Sequence, residues 1–224
     1  NGQITDKKTL QLKFFSYRVF LFYYICITKK IKMFSIAVFA SGSGSNAENL
    51  VSHFKDSTVG RISLILSNKK DAYVLQRAER LGVPYSTFTY KEFQDPDSII
   101  PILNKYHIDF IILAGFLLKV PDYLLEKYPE RILNIHPSLL PKYGGKGMYG
   151  EHVHNAVIAA GEKQSGITIH VIDQNYDCGK TIYQCVCSVS DDDTADTLAA
   201  KIHELERAYP QVAEDYIEKE FSNL

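Results

Sequence analysis

The sequence predicts an α/β fold, a doubly wound and mainly parallel sheet with an antiparallel edge and a long C-terminal helix. Three observations carry that prediction. First, an apolar run, FSIAVFA, breaks into the Gly-rich string SGSGSN and then into the helical run AENLVSHF, the strand, turn and helix order of a parallel-sheet unit. Second, the apolar runs ISLILSN and DFIILAG alternate with stretches of helical period, which calls for helical crossovers between parallel strands. Third, SGITIHVIDQNYDCGKTIYQCVCSV reads as two strands on one loop, a hairpin-like edge to the sheet.

A chain of 224 residues that is 46% hydrophobic can bury one sizeable core,. Lys+Arg 25 against Asp+Glu 26 leaves a net charge of -1, so nothing draws the whole molecule to nucleic acid or an anionic membrane. A local anion site stays open. Cys26, Cys178, Cys185 and Cys187 form no CxxC pair and have no His beside them at ligand spacing, which argues against structural zinc. They read as reduced thiols of a cytoplasmic protein, with Cys185 and Cys187 packing on one strand face. The first segment, residues 1–32, carries FFSYRVFLFYYICI between Lys-rich flanks, with Arg18 inside it. It falls short of the ~20 apolar residues of a membrane span and lacks a small-residue cleavage site. Met33 opens a sequence that needs nothing upstream. Residues 1–32 are therefore expected to be an N-terminal extension outside the fold, with membrane tethering as the alternative, and residues 33–224 to be the catalytic domain.

In chain order, the strand from Met33 leads into Gly42 and Gly44, which let backbone amides approach an anion, and the helix from Asn46 adds its positive end,. The string Gly42–Ala47 fits the dinucleotide pattern loosely. Yet the acid that would grip a ribose after the second strand is missing, since ISLILSN ends in Ser67 and Asn68 before Lys69 and Lys70,. A single phosphate fits better than a dinucleotide, and a plain tight turn is the alternative. A helix over Ala72–Leu81, a short strand near Tyr85–Phe88 and a helix over Ser98–Tyr106 follow. DFIILAG then ends at Gly115 before Phe116, Leu117, Leu118, Lys119 and Val120, a segment that is either core spilling over or the wall of a pocket for a flat aromatic ligand.

After a helix over Pro121–Lys127 comes RILNIHPSLLPKYGGKG, where Ile132, Leu133 and Ile135 suit a buried strand and Asn134 and His136 share a face,. Pro137 stops the ladder at the kind of strand end where open α/β sheets bind ligands. That pair offers a neutral donor and a titratable base, or reads equally as two turn residues. HVHNAVIAAG is a helix ending at Gly161, on which His152 and His154 cannot share a face for a metal. Strands Gly166–Ile172 and Thr181–Val189 flank a loop with Asp173, Asp177 and Gly179. The tail DDDTADTLAAKIHELERAYPQVAEDYIEKEF is helical, capped by Thr194 and broken or bent at Pro210,.

Asn134, His136 and a loop acid at Asp177 would supply an oxyanion donor, a base and a carboxylate to orient it. That set needs no Ser or Cys nucleophile and suits direct transfer of an acyl group from a carrier to an amine. The strings ASGSGSN (Ala40–Asn46), LAGFLL (Leu113–Leu118) and LNIHPSLLPKY (Leu133–Tyr143), with the loop around Asp177, resemble the folate-dependent formyltransferases over essentially all of residues 33–224. GSGSN narrows the resemblance to the branch that works in purine synthesis.

The resemblance implies a Rossmann-like fold and transfer of formyl from 10-formyltetrahydrofolate, a co-substrate used without metal, to the amine of 5-phosphoribosylglycinamide. It implies that Asn134 donates to the formyl oxygen, that His136 is the general acid and base, and that Asp177 holds His136 and raises its pKa. Gly44, Ser45 and Asn46 would bind the phosphate and Glu206 the ribose hydroxyls. Leu117, Leu118, Lys119 and Val120 would line the pterin pocket together with Asn134. Partners would be small molecules, not nucleic acid or membrane, and the protein a monomer or homodimer. Two places depart from the pattern. Family members carry Arg where Leu118 stands and another near FQDPDS, for which Lys91 or Lys119 could substitute; and KYGGKGMYGEHVH is longer than the minimal loop. The rivals are a formyltransferase for another amine, such as an amino-sugar nucleotide or methionyl-tRNA, a formylfolate hydrolase, and a non-catalytic binding module. The tRNA enzyme would bring a basic C-terminal domain and the hydrolase an N-terminal regulatory one.

Overall fold

The computed structural model describes residues 33–222; the expected extension 1–32, with Cys26, lies outside them. Strand β1 (Phe34–Phe39) is buried at all six positions. It is paired in parallel on both edges, with β2 (Gly60–Ser67) and β4 (Phe110–Leu113), so a strand reading FSIAVF with no polar face is what its place demands. The full order is β3-β2-β1-β4-β5-β6-β7, where β3 is Tyr85–Thr87, β5 Ile132–His136, β6 Gln164–Val171 and β7 Thr181–Ser188. β1 to β5 run parallel, and β6 and β7 are added antiparallel, as the hairpin reading anticipates.

Eight helices among the described residues cover the two faces: α1 (Ser45–Phe54), α2 (Tyr73–Leu81), α3 (Tyr90–Phe93), α4 (Pro96–Lys105), α5 (Asp122–Lys127), α6 (Glu151–Ala159), α7 (Ala195–Glu206) and α8 (Tyr209–Phe221). Alternation along β1 assigns them. Phe34, Ile36 and Val38 pack with Leu50, Val74, Val153, Ile202 and Ile217, whereas Ala37 and Phe39 face Phe93, Ile99, Leu103 and Leu124,. The chain winds outward from β1 to β3 and then returns to β4 on the other side of β1. The carboxyl ends of β1 and β4 therefore send their connections in opposite directions and leave a crevice between them.

Local chemistry moves two boundaries and adds one short helix. α4 begins at Pro96, not Ser98, because the Asp95 side chain accepts from Asp97 N and Pro96 opens the helix, where its missing N–H has no partner to lose,. α3 is additional; Thr89 and Glu92 form a reciprocal capping box that holds one turn,. The C-terminal helical stretch breaks at Arg207 and Ala208, and Pro210 restarts it within the first turn of α8,. Thr194 caps α7 as expected. Among the described residues no helix is long and apolar enough to cross a membrane.

Candidate active site

A cavity of about 680 Å³ opens at this crevice, within the usual range for small-molecule sites. One wall is the start of α1. Gly44 caps that helix at φ 79 and ψ 22, and no side chain caps it, so the first-turn N–H groups stay available to an anion. Only glycine fits, since a Cβ there would sit 2.5 Å from Val74 Cγ2. Behind the loop, Arg77 donates from Nε to the Ser43 carbonyl at 2.9 Å and pairs with Glu48. At the loop's root, Ser41 Oγ donates to Asn68 Oδ1 at 2.6 Å and accepts from Leu117 N at 3.0 Å. This hydroxyl ties the ends of β1 and β2 to the segment Leu117–Val120, which forms a second wall.

The third wall is the end of β5. Asn134 and His136 point to one face, and the β5–β6 register sets His170 opposite Asn134 and Thr168 opposite His136. His170 Nδ1 donates to the Val171 carbonyl at 3.2 Å, which leaves Nε2 of a neutral ring to accept from Asn134 Nδ2 at 3.1 Å,. Burial pushes the pKa of His170 down, and this outweighs the opposing charge of Asp177, 3.7 Å away,. One N–H of the Asn134 amide is thus engaged, and the amide is oriented.

His136 is 3% exposed. Its Nε2 lies 2.7 Å from the Tyr143 carbonyl, which can only accept, so Nε2 carries a proton,. Nδ1 is then the nitrogen that exchanges one, and it lies 3.5 Å from Asp177 Oδ2. That gap exceeds an ordinary hydrogen bond. Asp177 is fixed instead by Gly145 N, which donates to Oδ2 at 2.9 Å. Both residues that frame the imidazole are in the left-handed region, Tyr143 at φ 56 and Asp177 at φ 54, a conformation that side chains adopt at a cost.

The catalytic, phosphate-side and pterin-side residues named from the resemblance line this one cavity: Gly44, Ser45 and Asn46; Leu117, Leu118, Lys119 and Val120; Asn134, His136, Asp177 and Glu206. Glu206 Oε2 accepts from Asn46 Nδ2 at 3.0 Å and faces His203 Nδ1 at 2.9 Å, which links α7 to α1. Of the two candidate lysines, Lys119 lines the cavity and lies over the Tyr176 ring at 6.0 Å, while Lys91, on α3, does not line it. Sequence reasoning did not single out Ser41, His170 or His203. His154 was set aside as a metal ligand, yet it lines the cavity, as do Ser41 and His203, while His170 reaches it only through Asn134. Cys185 and Cys187 are half-buried against the core, and no cluster among the described residues could hold a metal ion.

A family model described as formyl transferase matches residues 34–213. A phosphoribosylglycinamide formyltransferase of Bacillus subtilis (strain 168) is 36% identical over 186 residues, covering 80% of this chain and 93% of that protein. The chloroplastic phosphoribosylglycinamide formyltransferase of Arabidopsis thaliana is 40% identical over 184 residues, 79% of this chain; the chain spans 63% of that relative's length. Among solved structures, phosphoribosylglycinamide formyltransferase from Anaplasma phagocytophilum superposes with a TM-score of 0.76 at 32% identity, covering 84% of this chain and 89% of that one.

Proposed function

Because the chain belongs to the formyl transferase family, we propose that it transfers the formyl group of 10-formyltetrahydrofolate to the amine of 5-phosphoribosylglycinamide in de novo purine synthesis. The observation that carries this reading is a single cavity with an uncapped helix start for a phosphate at one wall and Asn134, His136 and Asp177 at another. The similarity to proteins named phosphoribosylglycinamide formyltransferase supports the choice of acceptor.

In this mechanism the phosphate sits on the amides of Gly44, Ser45 and Asn46, Glu206 holds the ribose hydroxyls, and the folate ring lies along Leu117, Leu118, Lys119 and Val120. The acceptor nitrogen attacks the formyl carbon, forming a C–N bond and a tetrahedral oxyanion. The Asn134 N–H that His170 leaves unused donates to this oxygen, with the protonated Nδ1 edge of His136 beside it. The former amine loses a proton, the bond from carbon to folate N10 breaks, and N10 takes a proton through His136 and water. The products are the N-formyl amide and tetrahydrofolate. The Tyr143 carbonyl orients the imidazole, Asp177 balances its charge from 3.5 Å, and no metal enters. We place the folded domain from residue 33 onward, with residues 1–32 as an extension, and the protein as a cytoplasmic monomer or homodimer that acts on small molecules.

The test is absorbance-monitored loss of formyl from a 10-formyl folate analogue by the full chain, with and without the ribonucleotide, alongside His136→Asn. Deformylation that requires the ribonucleotide and disappears in the variant is the expected result. Loss of formyl without acceptor makes the protein a hydrolase, and no turnover with either overturns the assignment.

A further inference from the structure

Tyr143 supplies the carbonyl that holds His136 by Nε2 at 2.7 Å, yet neither Tyr143 nor its side-chain partner Glu162 lines the cavity. The direction of that carbonyl depends on a backbone held at φ 56, a conformation that persists only where surrounding contacts impose it. Two sets of contacts do so. On the N-terminal side, the Lys142 carbonyl accepts from Ser138 Oγ at 2.7 Å, and the Ser138 carbonyl accepts from the buried Thr168 Oγ1 at 2.7 Å. On the side chain, the Tyr143 phenol donates to Glu162 Oε1 at 3.0 Å while its ring packs against the core. Glu162 lies between α6 and β6, where its N–H donates to the Val157 carbonyl at 3.3 Å. Lys142 Nζ reaches the same carboxylate oxygen at 2.8 Å, but the Lys142 side chain is 67% exposed, so solvent screens that ion pair.

We propose that Glu162 and the Tyr143 phenol are positioning residues that select the tautomer of His136; this rests on the function proposed above. A neutral imidazole carries one N–H proton, and two acceptors compete for it. The Tyr143 carbonyl draws it to Nε2, whereas the Asp177 carboxylate, 3.5 Å from Nδ1, draws it to Nδ1. Only the first arrangement leaves a lone pair on Nδ1, the nitrogen through which the proton transfer runs. A carboxylate is the stronger acceptor, so the bond to a neutral carbonyl prevails only while that carbonyl stays aimed at Nε2. Breaking the phenol anchor lets Tyr143 relax from φ 56 and hands the proton to Nδ1. The imidazole then stands in place with Nδ1 unable to accept. Glu162 thus reaches the reacting atoms from outside the cavity, through the phenol, the Tyr143 backbone and the His136 ring.

The test combines turnover with nitrogen NMR of the full chain labelled in its histidine rings, the His136 signals being identified by their loss in His136→Asn. The proteins are wild type, Tyr143→Phe, Glu162→Leu and Glu162→Gln. At about pH 8, above the ordinary imidazole range, wild type should show a protonated Nε2 and an unprotonated Nδ1. In Tyr143→Phe and Glu162→Leu the two nitrogen shifts should move toward each other as both tautomers become populated, and kcat should fall roughly 10–100-fold. KM for ribonucleotide and for folate should stay unchanged, because neither altered residue lines the cavity,. Glu162→Gln keeps an acceptor for the phenol and should restore the wild-type tautomer and most of kcat. The Tyr143→Phe, Glu162→Leu double variant should be no slower than either single change, since all three break the same hydrogen bond. A wild-type tautomer in Tyr143→Phe overturns the proposal, whatever its rate. So does a Glu162→Gln variant as slow as Glu162→Leu, which places the effect in the charge and not in the hydrogen bond. If the tautomer responds as expected while wild type transfers no formyl group, the positioning pair stands and the reaction is misassigned.

Discussion

Asn134 carries two amide N–H groups, and the distribution of their partners determines what its removal should cost. One goes to His170 Nε2 at 3.1 Å, and the other is the proposed oxyanion donor. Asn134→Ala should therefore fold normally but turn over about 10²–10³-fold more slowly, the usual loss for one oxyanion donor. His170 acts one step further back, so His170→Leu should lower kcat roughly 10–100-fold, as small misplacements do. Its KM should change little, because the lost contact is made to the amide and not to substrate. His170→Gln, which retains an acceptor for the amide, should recover part of that rate. A wild-type kcat in His170→Leu would show that the amide orients itself. Asn134 and His136 were legible from their spacing within NIHP, but His170 was not. It sits mid-strand in SGITIHV, and its importance comes from the cross-strand register that pairs it with Asn134, which periodicity along one strand cannot reveal.

At the scale of elements, the turn between β1 and α1 concentrates the most constraint into the fewest residues. Gly44 needs φ 79, and an added Cβ would lie 2.5 Å, 2.6 Å and 2.8 Å from Val74 Cγ2, Cβ and Cα. Since the nearest backbone atom belongs to α2, the loop and helix must separate to admit a methyl group. The left-handed φ costs about 1–2 kcal/mol for an L-residue and overpacking about 1–3 kcal/mol more, so Gly44→Ala should lower stability by roughly 2–5 kcal/mol in denaturant melts. It should also raise KM for the ribonucleotide more than for the folate, because it distorts only the α1 wall. Val74→Ala in the same chain would relieve the Cγ2 contact but not those to Cβ and Cα, nor φ, so rescue should be slight. A silent Gly44→Ala would mean that the turn is not the anion site. The strand, turn and helix order was readable here because glycine spacing reports backbone conformation directly. The capping box that creates α3, and the start of α4 at Pro96, were present as TYKE and DPD, but these short signals are outweighed by neighbouring apolar periodicity when a sequence is read in long windows.

Across the whole molecule, the doubly wound, mainly parallel sheet followed from the alternation of apolar and helical segments, because parallel neighbours require crossovers, while the strand order itself did not. The convergence of residues as far apart in sequence as Asn46 and Glu206 did not follow from it, since it depends on where α7 lands across the sheet. That convergence buries histidines, with a consequence for the stability of the entire fold. His154 and His170 have pKa values lowered by burial, so above the unfolded value of 6.5 they are neutral in both states and contribute no pH dependence. As pH falls below 6.5, the unfolded chain takes up protons that the folded chain resists, and stability drops. His203, raised by Glu206, works in the opposite sense; its stabilisation is fully present below 6.5 and is lost as pH rises through its folded value. Two groups against one make net acid destabilisation the expected outcome. The window from pH 7 to 5 isolates these histidines, because the lowered carboxylates such as Asp193 and Glu162 act only below their unfolded values of 3.8 and 4.5. In a domain of this size each pKa unit of mismatch, about 1.4 kcal/mol, corresponds to about 3–6 °C in Tm. Calorimetric Tm should thus fall between pH 7 and pH 5, and the slope should flatten in a His154→Phe, His170→Gln double variant. An unchanged slope in that variant would assign the acid sensitivity to groups other than the two buried imidazoles.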